Sequence, residues 1–124
     1  MKIVRMNELI DTPRAVKFTG GISLRGVLES DKMGFAVMKT CIPKGGPHHW
    51  HYENHLEACY CIKGQGELTN LETGVKHLIT PDVMYVLDKH DDHTFEAFED
   101  VVLISIFNPP LRGDEKHDSQ GNYK

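Results

Sequence analysis

The sequence predicts an all-β chain folded as a jelly roll or small β-barrel. Apolar residues recur in short alternating runs, which is the period of strands and not of helices. Turn residues cut those runs at close intervals. No long amphipathic helix, internal repeat or low-complexity segment interrupts the pattern. With 124 residues the chain can bury one hydrophobic core and not two, so a single domain over 1–124 is expected.

Glu8-Leu9-Ile10-Asp11 reads as one helical turn, stopped by Thr12-Pro13. Gly20-Gly21 opens a strand over 22–28, and a second runs over 34–42. Pro43-Lys44-Gly45-Gly46-Pro47 reads as a loop. A strand over 56–62 meets Lys63-Gly64-Gln65-Gly66, read as a hairpin turn, and returns over 67–69. After the turn 70–74, strands are expected over 75–80, 84–87, 93–98 and 101–107. In the last of these, Val101, Leu103, Ser105 and Phe107 share one face, and Val102, Ile104 and Ile106 the other. Both faces are apolar, so the outer one needs cover, and a homodimer is expected. On composition alone the polar stretch 109–124 reads as a frayed end.

Composition narrows the function. Fourteen Lys and Arg against 18 Asp and Glu leave a formal charge of −4, which offers no field for nucleic acid or an anionic membrane. No apolar run approaches a bilayer span, and the first residues are polar where an export signal carries its apolar stretch. A cytoplasmic protein is therefore expected. Its three cysteines, Cys41, Cys59 and Cys61, have no framework spacing and are read as reduced, small buried side chains.

The unusual count is eight histidines, most of them between His48 and His93. His48, His49, His51 and His55 suggest zinc, but their register is wrong for convergence on one ion, and a solvated loop or pocket rim is the expectation. His77 and His90 are expected at the surface. A metal needs lone pairs from different segments aimed at one spot, which opposed strands of a small barrel provide. Glu57, four intervening residues after Tyr52 and seven positions before Gly64, reproduces the E-x6-G half of the first cupin motif, whose histidine positions are held by Trp50 and Tyr52. His93 keeps the histidine of the second motif, with Asp88 and His90 in place of its Pro and Gly.

On these residues the chain resembles the cupin family, and within it one branch. Tyr52-x-Asn54-His55-Leu56-Glu57-Ala58-x-Tyr60-Cys61-Ile62-x-Gly64-x-Gly66-Glu67 is similar to the ectoine synthases. So are Tyr85-x-Leu87-Asp88-x-His90-Asp91-x-His93 and the tail Phe107-x-Pro109, Leu111, Gly113-x-Glu115-x-His117, Asp118-x-x-Gly121-x-Tyr123. The resemblance implies a homodimeric cupin that closes the small molecule N-γ-acetyl-L-2,4-diaminobutyrate into the cyclic amidine ectoine, with loss of water. It implies iron(II), or another divalent metal such as zinc, on Glu57, Tyr85 and His93. Two oxygen donors and one imidazole form a harder set than thiolates and leave positions open for substrate.

The resemblance also brings the tail to the site as a lid, with Glu115 and His117 as catalytic residues beside Tyr52. Which of Glu115 and His117 is the base stays open. Arg25, Thr40, Tyr52, His55 and Phe107 fall on substrate-binding positions, Arg25 suiting a carboxylate and Thr40 and Tyr52 suiting polar groups. The chain departs from the branch at four places. Gly21 stands for Trp, Ser105 for Cys, Met38 occupies a commonly polar position, and Pro81-Asp82-Val83-Met84 replaces Pro-Gly-Asp and one apolar residue before Tyr85. Loss of the Trp wall predicts a wider pocket or a different substrate. A different cupin enzyme acting on a related small amino-acid derivative, or a non-catalytic binding cupin, stays open at this level.

Overall fold

In a computed structural model, which describes residues 1–119 and 121–123, ten strands form two antiparallel sheets. They are β1 (Ala15–Phe18), β2 (Gly21–Val27), β3 (Ala36–Ile42), β4 (Gly45–Trp50) and β5 (Leu56–Lys63). The rest are β6 (Gly66–Asn70), β7 (Lys76–Ile79), β8 (Met84–Leu87), β9 (His93–Ala97) and β10 (Val101–Asn108). The first sheet runs β1-β2-β3-β10-β5-β8 and the second β4-β9-β6-β7. The fold is the all-β double sheet that the alternation predicts, and the core fills the space between the sheets. The helical turn near the start is a 3-10 turn, Met6–Leu9.

Three expectations change. Residues 43–47 are not all loop, because β4 begins at Gly45 and carries His48 and His49 along its length, pairing with β9. The prolines and glycines masked an edge strand, the one place where a strand tolerates them. The stretch 63–66 is not a hairpin turn: β5 pairs with β10 and β8, while β6 pairs with β7 and β9 in the other sheet. The chain turns a corner there, and Gly64 (φ +85°) is needed because a Cβ would lie 2.1 Å from the Asp100 carbonyl oxygen. Finally, β1 was not foreseen. It forms a tight hairpin with β2 through Thr19-Gly20, setting Phe18 opposite Gly21.

Alternation and register place the interior side chains in rows. Along β3 every second residue is buried, and β10 keeps the same rhythm for most of its length. One row crosses the large sheet as Arg25, Met38, Ser105, Cys59 and Tyr85. The adjacent row brings Ala36, Phe107, Glu57 and Leu87 together. From the small sheet, His93 and Phe95 face them, with Trp50 beside His93.

The outer face of the large sheet has rows of its own. Val37, Ile106, Ala58 and Val86 are in register, as are Lys39, Ile104, Tyr60 and Met84. Ile106, Met84 and Val86 are exposed there. No helix of the described residues is long and apolar enough to cross a membrane.

Candidate active site

The interior rows carry more polarity than a core requires. Arg25, Thr40, His55, Glu57, His93, Ser105 and Glu115 are all buried. A polar side chain removed from water costs free energy unless something pairs with it, so each partner matters.

Glu57 takes the strongest consequence of burial. Desolvation pushes its carboxyl up to about 7, against the hydrogen bonds of Cys59 and Ser105 that favour the charge. The Ser105 hydroxyl is held in turn by the Thr40 hydroxyl at 2.8 Å and the Cys59 thiol at 3.4 Å. Burial likewise raises the Tyr85 phenol, with the Cys59 and Glu57 charges adding to it. His93 is lowered, chiefly by burial. Its Nδ1 lies 2.9 Å from the Asp91 carbonyl oxygen, which fixes Nδ1 as the donor and leaves Nε2 buried with no hydrogen-bond partner. An imidazole oriented by a backbone carbonyl, with its other nitrogen bare, is the preparation of a metal-binding histidine. Among the described residues no three His, Cys, Asp or Glu side chains are grouped to hold a metal.

The tail closes this interior. Arg25, with 0% exposure, donates from one terminal nitrogen to the Gly113 carbonyl at 3.0 Å and from the other to the Glu115 carbonyl at 2.7 Å. Its Nε donates to the Ser23 hydroxyl at 3.3 Å. The Glu115 carboxylate lies 3.7 Å from the same guanidinium and accepts the Arg112 and Gly113 N–H groups at 2.6 and 2.8 Å. Burial works to raise the Glu115 pKa, but those N–H bonds and Arg25 outweigh it and the net direction is down. The tail is thus no frayed end.

His117 sits with its Nε2 at 2.8 Å from the Tyr52 hydroxyl and its Nδ1 buried without a partner. Burial, then Arg25, lowers its pKa to about 4, so the ring is neutral near pH 7. Burial raises the Tyr52 phenol well above its ordinary value. His55 lies farther out, 6.0 Å from the Phe107 ring by centroids, with its Nδ1 also unpartnered. Phe107 meets Tyr52 edge-on at 5.2 Å.

A cavity of about 10 Å³ remains, lined by Tyr52, Glu57, Cys59, Tyr85 and Tyr123 among others. The wider pocket expected from Gly21 is absent. A Cβ at Gly21 would lie 2.3 Å from the Cys41 carbonyl oxygen and 3.1 Å from the Phe18 ring. Phe18, opposite in the hairpin, fills that corner and packs edge-on against Trp50 and His117. Met38 and Ser105 both line the cavity.

The remaining histidines fall partly as expected. His49, on β4, pairs with Asp92, His51 lies near both Asp92 and Glu53, and His77 is exposed. His48 stacks on Trp50, so it is a packed strand residue. His90 is exposed yet structural, its Nδ1 reaching the Tyr52 and His55 carbonyls at 2.9 and 3.1 Å. Cys59 and Cys61 are buried as expected and Cys41 is half-buried. Of the tail stretch 109–124, positions 120 and 124 lie outside the described residues.

The family model described as ectoine synthase matches residues 1–124. The chain belongs to the ectoine synthase family. It is 42% identical to the L-ectoine synthase of Teredinibacter turnerae, over 100% of this chain and 96% of that one. It is 51% identical to that of Marinomonas sp., over 82% of this chain and 79% of the relative. The crystal structure of ectoine synthase from P. lautus superposes with a TM-score of 0.86 at 37% identity, covering 91% of this chain and 81% of that one. A predicted oxalate decarboxylase from Thermotoga maritima shares the fold, with a TM-score of 0.69 at 18% identity. Family membership makes the protein an enzyme of the hydro-lyase class.

The residue that sequence reasoning left without a role is Tyr123. It is 2% exposed, its ring stacked on Tyr52 at 4.9 Å. Its signal in the sequence was its place at the end of the family-matched tail, Asp118-x-x-Gly121-x-Tyr123.

Proposed function

We propose that the barrel interior closes N-γ-acetyl-L-2,4-diaminobutyrate into ectoine with loss of water, in the cytoplasm, as a route to a compatible solute. The carrying observation is the buried set Glu57, Tyr85 and His93, with His93 Nε2 bare, inside a chain of this family. Those three residues fit a divalent metal, iron(II) in our reading, through a carboxylate, a phenol oxygen and an imidazole nitrogen. When bound, the metal supplies Lewis acidity to polarise the acetamide carbonyl.

The ring forms when the substrate's α-amine attacks its own acetamide carbon, and the carbonyl oxygen then leaves as water. The amine must be neutral to attack. His117, with Nδ1 buried and unpartnered, is our candidate acceptor of the ammonium proton, once substrate charge offsets the burial that lowers its pKa. Glu115 is less suited, because Arg112, Gly113 and Arg25 already engage its carboxylate. Tyr52, kept protonated by burial and 2.8 Å from His117, is placed to return a proton to the departing oxygen. Thr40 and Ser105 offer hydroxyls to the substrate's polar groups. Phe107 bounds the apolar side, and His55 packs edge-on against it farther out. Arg25 serves by holding the tail shut, which excludes water from a step that releases water.

We further propose that the outer apolar rows around Ile106 and Val86 pair two copies into a homodimer. The test of the activity is direct. Folded protein loaded with iron(II) should convert N-γ-acetyl-L-2,4-diaminobutyrate to ectoine, followed by chromatography. No product from metal-replete protein would sink the reading.

A further inference from the structure

Phe18 reaches the interior from the β1–β2 hairpin, where it stands directly opposite Gly21. Residues paired in this way present their side chains on one face of the sheet, about 5 Å apart, so either strand can supply a ring to the corner. Here only one of them can. A Cβ at Gly21 would lie 2.3 Å from the Cys41 carbonyl oxygen, a backbone atom, and 3.1 Å from the Phe18 ring itself.

Two further contacts fix where Phe18 lies. The Trp50 indole N–H donates to the Thr19 carbonyl at 2.8 Å, tying the hairpin turn to the end of β4. Gly20 (φ +99°) lets that turn settle on the same strand, since a Cβ there would be 2.6 Å from the His48 ring. The half-buried Phe18 ring then meets Trp50 edge-on at 5.7 Å and His117 edge-on at 5.1 Å. It lines the small cavity together with Trp50, Tyr52 and Glu57. Phe18 and Trp50 thus make the surroundings of His117 apolar on the side of the hairpin.

The chemistry of ring closure says what belongs in such a corner. The carbon attacked by the α-amine carries the acetyl methyl, so that methyl lies two bonds from the nitrogen whose proton His117 takes. It is also the one end of the substrate with neither a charge nor a hydrogen-bonding group, and an apolar wall is where such a group loses least.

We propose that Phe18 sets the acyl specificity of this enzyme, its ring forming the wall against which the acetyl methyl packs and leaving no room for a longer acyl chain. This rests on the reading of the barrel interior as the site of ring closure. Gly21 is then the residue that makes way for the wall.

The test compares N-γ-acetyl- and N-γ-propionyl-2,4-diaminobutyrate, which differ by one methylene, on the metal-replete protein. Binding is followed by the fluorescence of Trp50, the single tryptophan and a neighbour of Phe18, and turnover by kcat/KM. The parent should favour the acetyl compound by about tenfold or more in both measurements, the range in which an apolar pocket discriminates one methylene. Phe18→Ala should narrow that preference by about tenfold and Phe18→Leu by about threefold, with the far-ultraviolet circular dichroism unchanged. Any loosening of His117 slows both compounds alike and cancels in the ratio. Equal weakening of both compounds in the folded variants would overturn the proposal, because loss of packing alone does that. Should Phe18→Ala fail to fold, Phe18→Leu keeps an apolar side chain in the corner and carries the test. If the parent binds the acetyl compound and makes no ectoine while the binding preference still shifts in the variants, the reaction assigned here is wrong and the wall stands. If the folded parent binds neither compound, the interior is not the substrate site and the wall falls with it.

Discussion

The Arg25 guanidinium donates to the Glu115 carbonyl oxygen at 2.7 Å, joining positions 90 residues apart in the chain. A fully buried cation is thereby committed to the tail backbone, with the Glu115 carboxylate 3.7 Å away as its counter-charge. Arg25→Ala should leave that buried carboxylate without its counter-charge, held by the Arg112 and Gly113 N–H groups alone, at a cost of about 3 kcal/mol in urea unfolding. The tail should become cleavable by trypsin at Arg112 and Lys116 in the native state. Arg25→Lys should resemble the Ala variant, since a lysine lacks the planar fork that serves three acceptors at once. A protease-resistant tail in either variant would show that Arg25 does not hold it.

Glu57→Ala should abolish tight binding of one divalent metal per chain, measured by elemental analysis after gel filtration. Tyr85→Phe keeps the ring packed and removes the oxygen, so it should weaken retention by about tenfold or more without lowering the melting temperature by more than a few degrees. Full metal content in both variants would move the site elsewhere.

Tyr52→Phe should lower kcat about a hundredfold, the range ascribed to a positioned proton donor. The ring remains between Phe107 and Tyr123, so stability should change by less than about 1 kcal/mol. A parent-like kcat would remove Tyr52 from proton transfer.

Asp31 offers a test of stability apart from the site. The Lys2 ammonium at 2.6 Å and the Leu28 N–H at 2.9 Å hold its carboxyl at about 2, below the ordinary 3.8. Because the folded value is depressed, the stabilisation is present above about pH 3.8 and is lost as pH falls through about 2. Asp31→Asn should therefore cost about 1 kcal/mol at neutral pH, less in high salt. The difference should vanish in strong acid, and kcat should be unchanged. An equal deficit at every pH would mean that packing, not charge, was lost.

Ile106→Asp with Val86→Asp should convert the proposed dimer to monomer, checked by light scattering. Both residues lie in one outward row, so charge there is tolerated by the fold and not by a partner copy. Parent-like mass would place the interface on another face.

Much of the fold was legible because burial imposes alternation. The strands around Met38, Cys59, Phe95 and Leu103 announce themselves by period. What was not legible depends on pairing over distance. Nothing local distinguishes a hairpin at Gly64 from a corner between sheets, since the close approach of Asp100 is a tertiary fact. The strand β4 hid behind Gly45, Gly46 and Pro47, residues that a sheet edge accepts. Among the interior polar residues, Glu57 and His93 stood out through cupin-motif spacing, and Tyr85 through the family resemblance alone. Phe18 did not, because it completes the interior by arriving from a turn whose local sequence gives no reason to enter it.

The span from Arg25 to Glu115 also orders events in time. Closing a loop of that length gives up much chain entropy before any contact offsets it, whereas the β1–β2 hairpin closes across two residues, Thr19 and Gly20. We expect the sheets to assemble first and the tail to dock onto a finished barrel. The site is then the last part to be completed and the first to open, and it can do so while the rest of the molecule stays folded. Deuterium should accordingly reach the amides of Gly113 and Asn122 through local opening, at rates insensitive to mild denaturant, while those of β5 and β10 exchange only when the whole barrel comes apart.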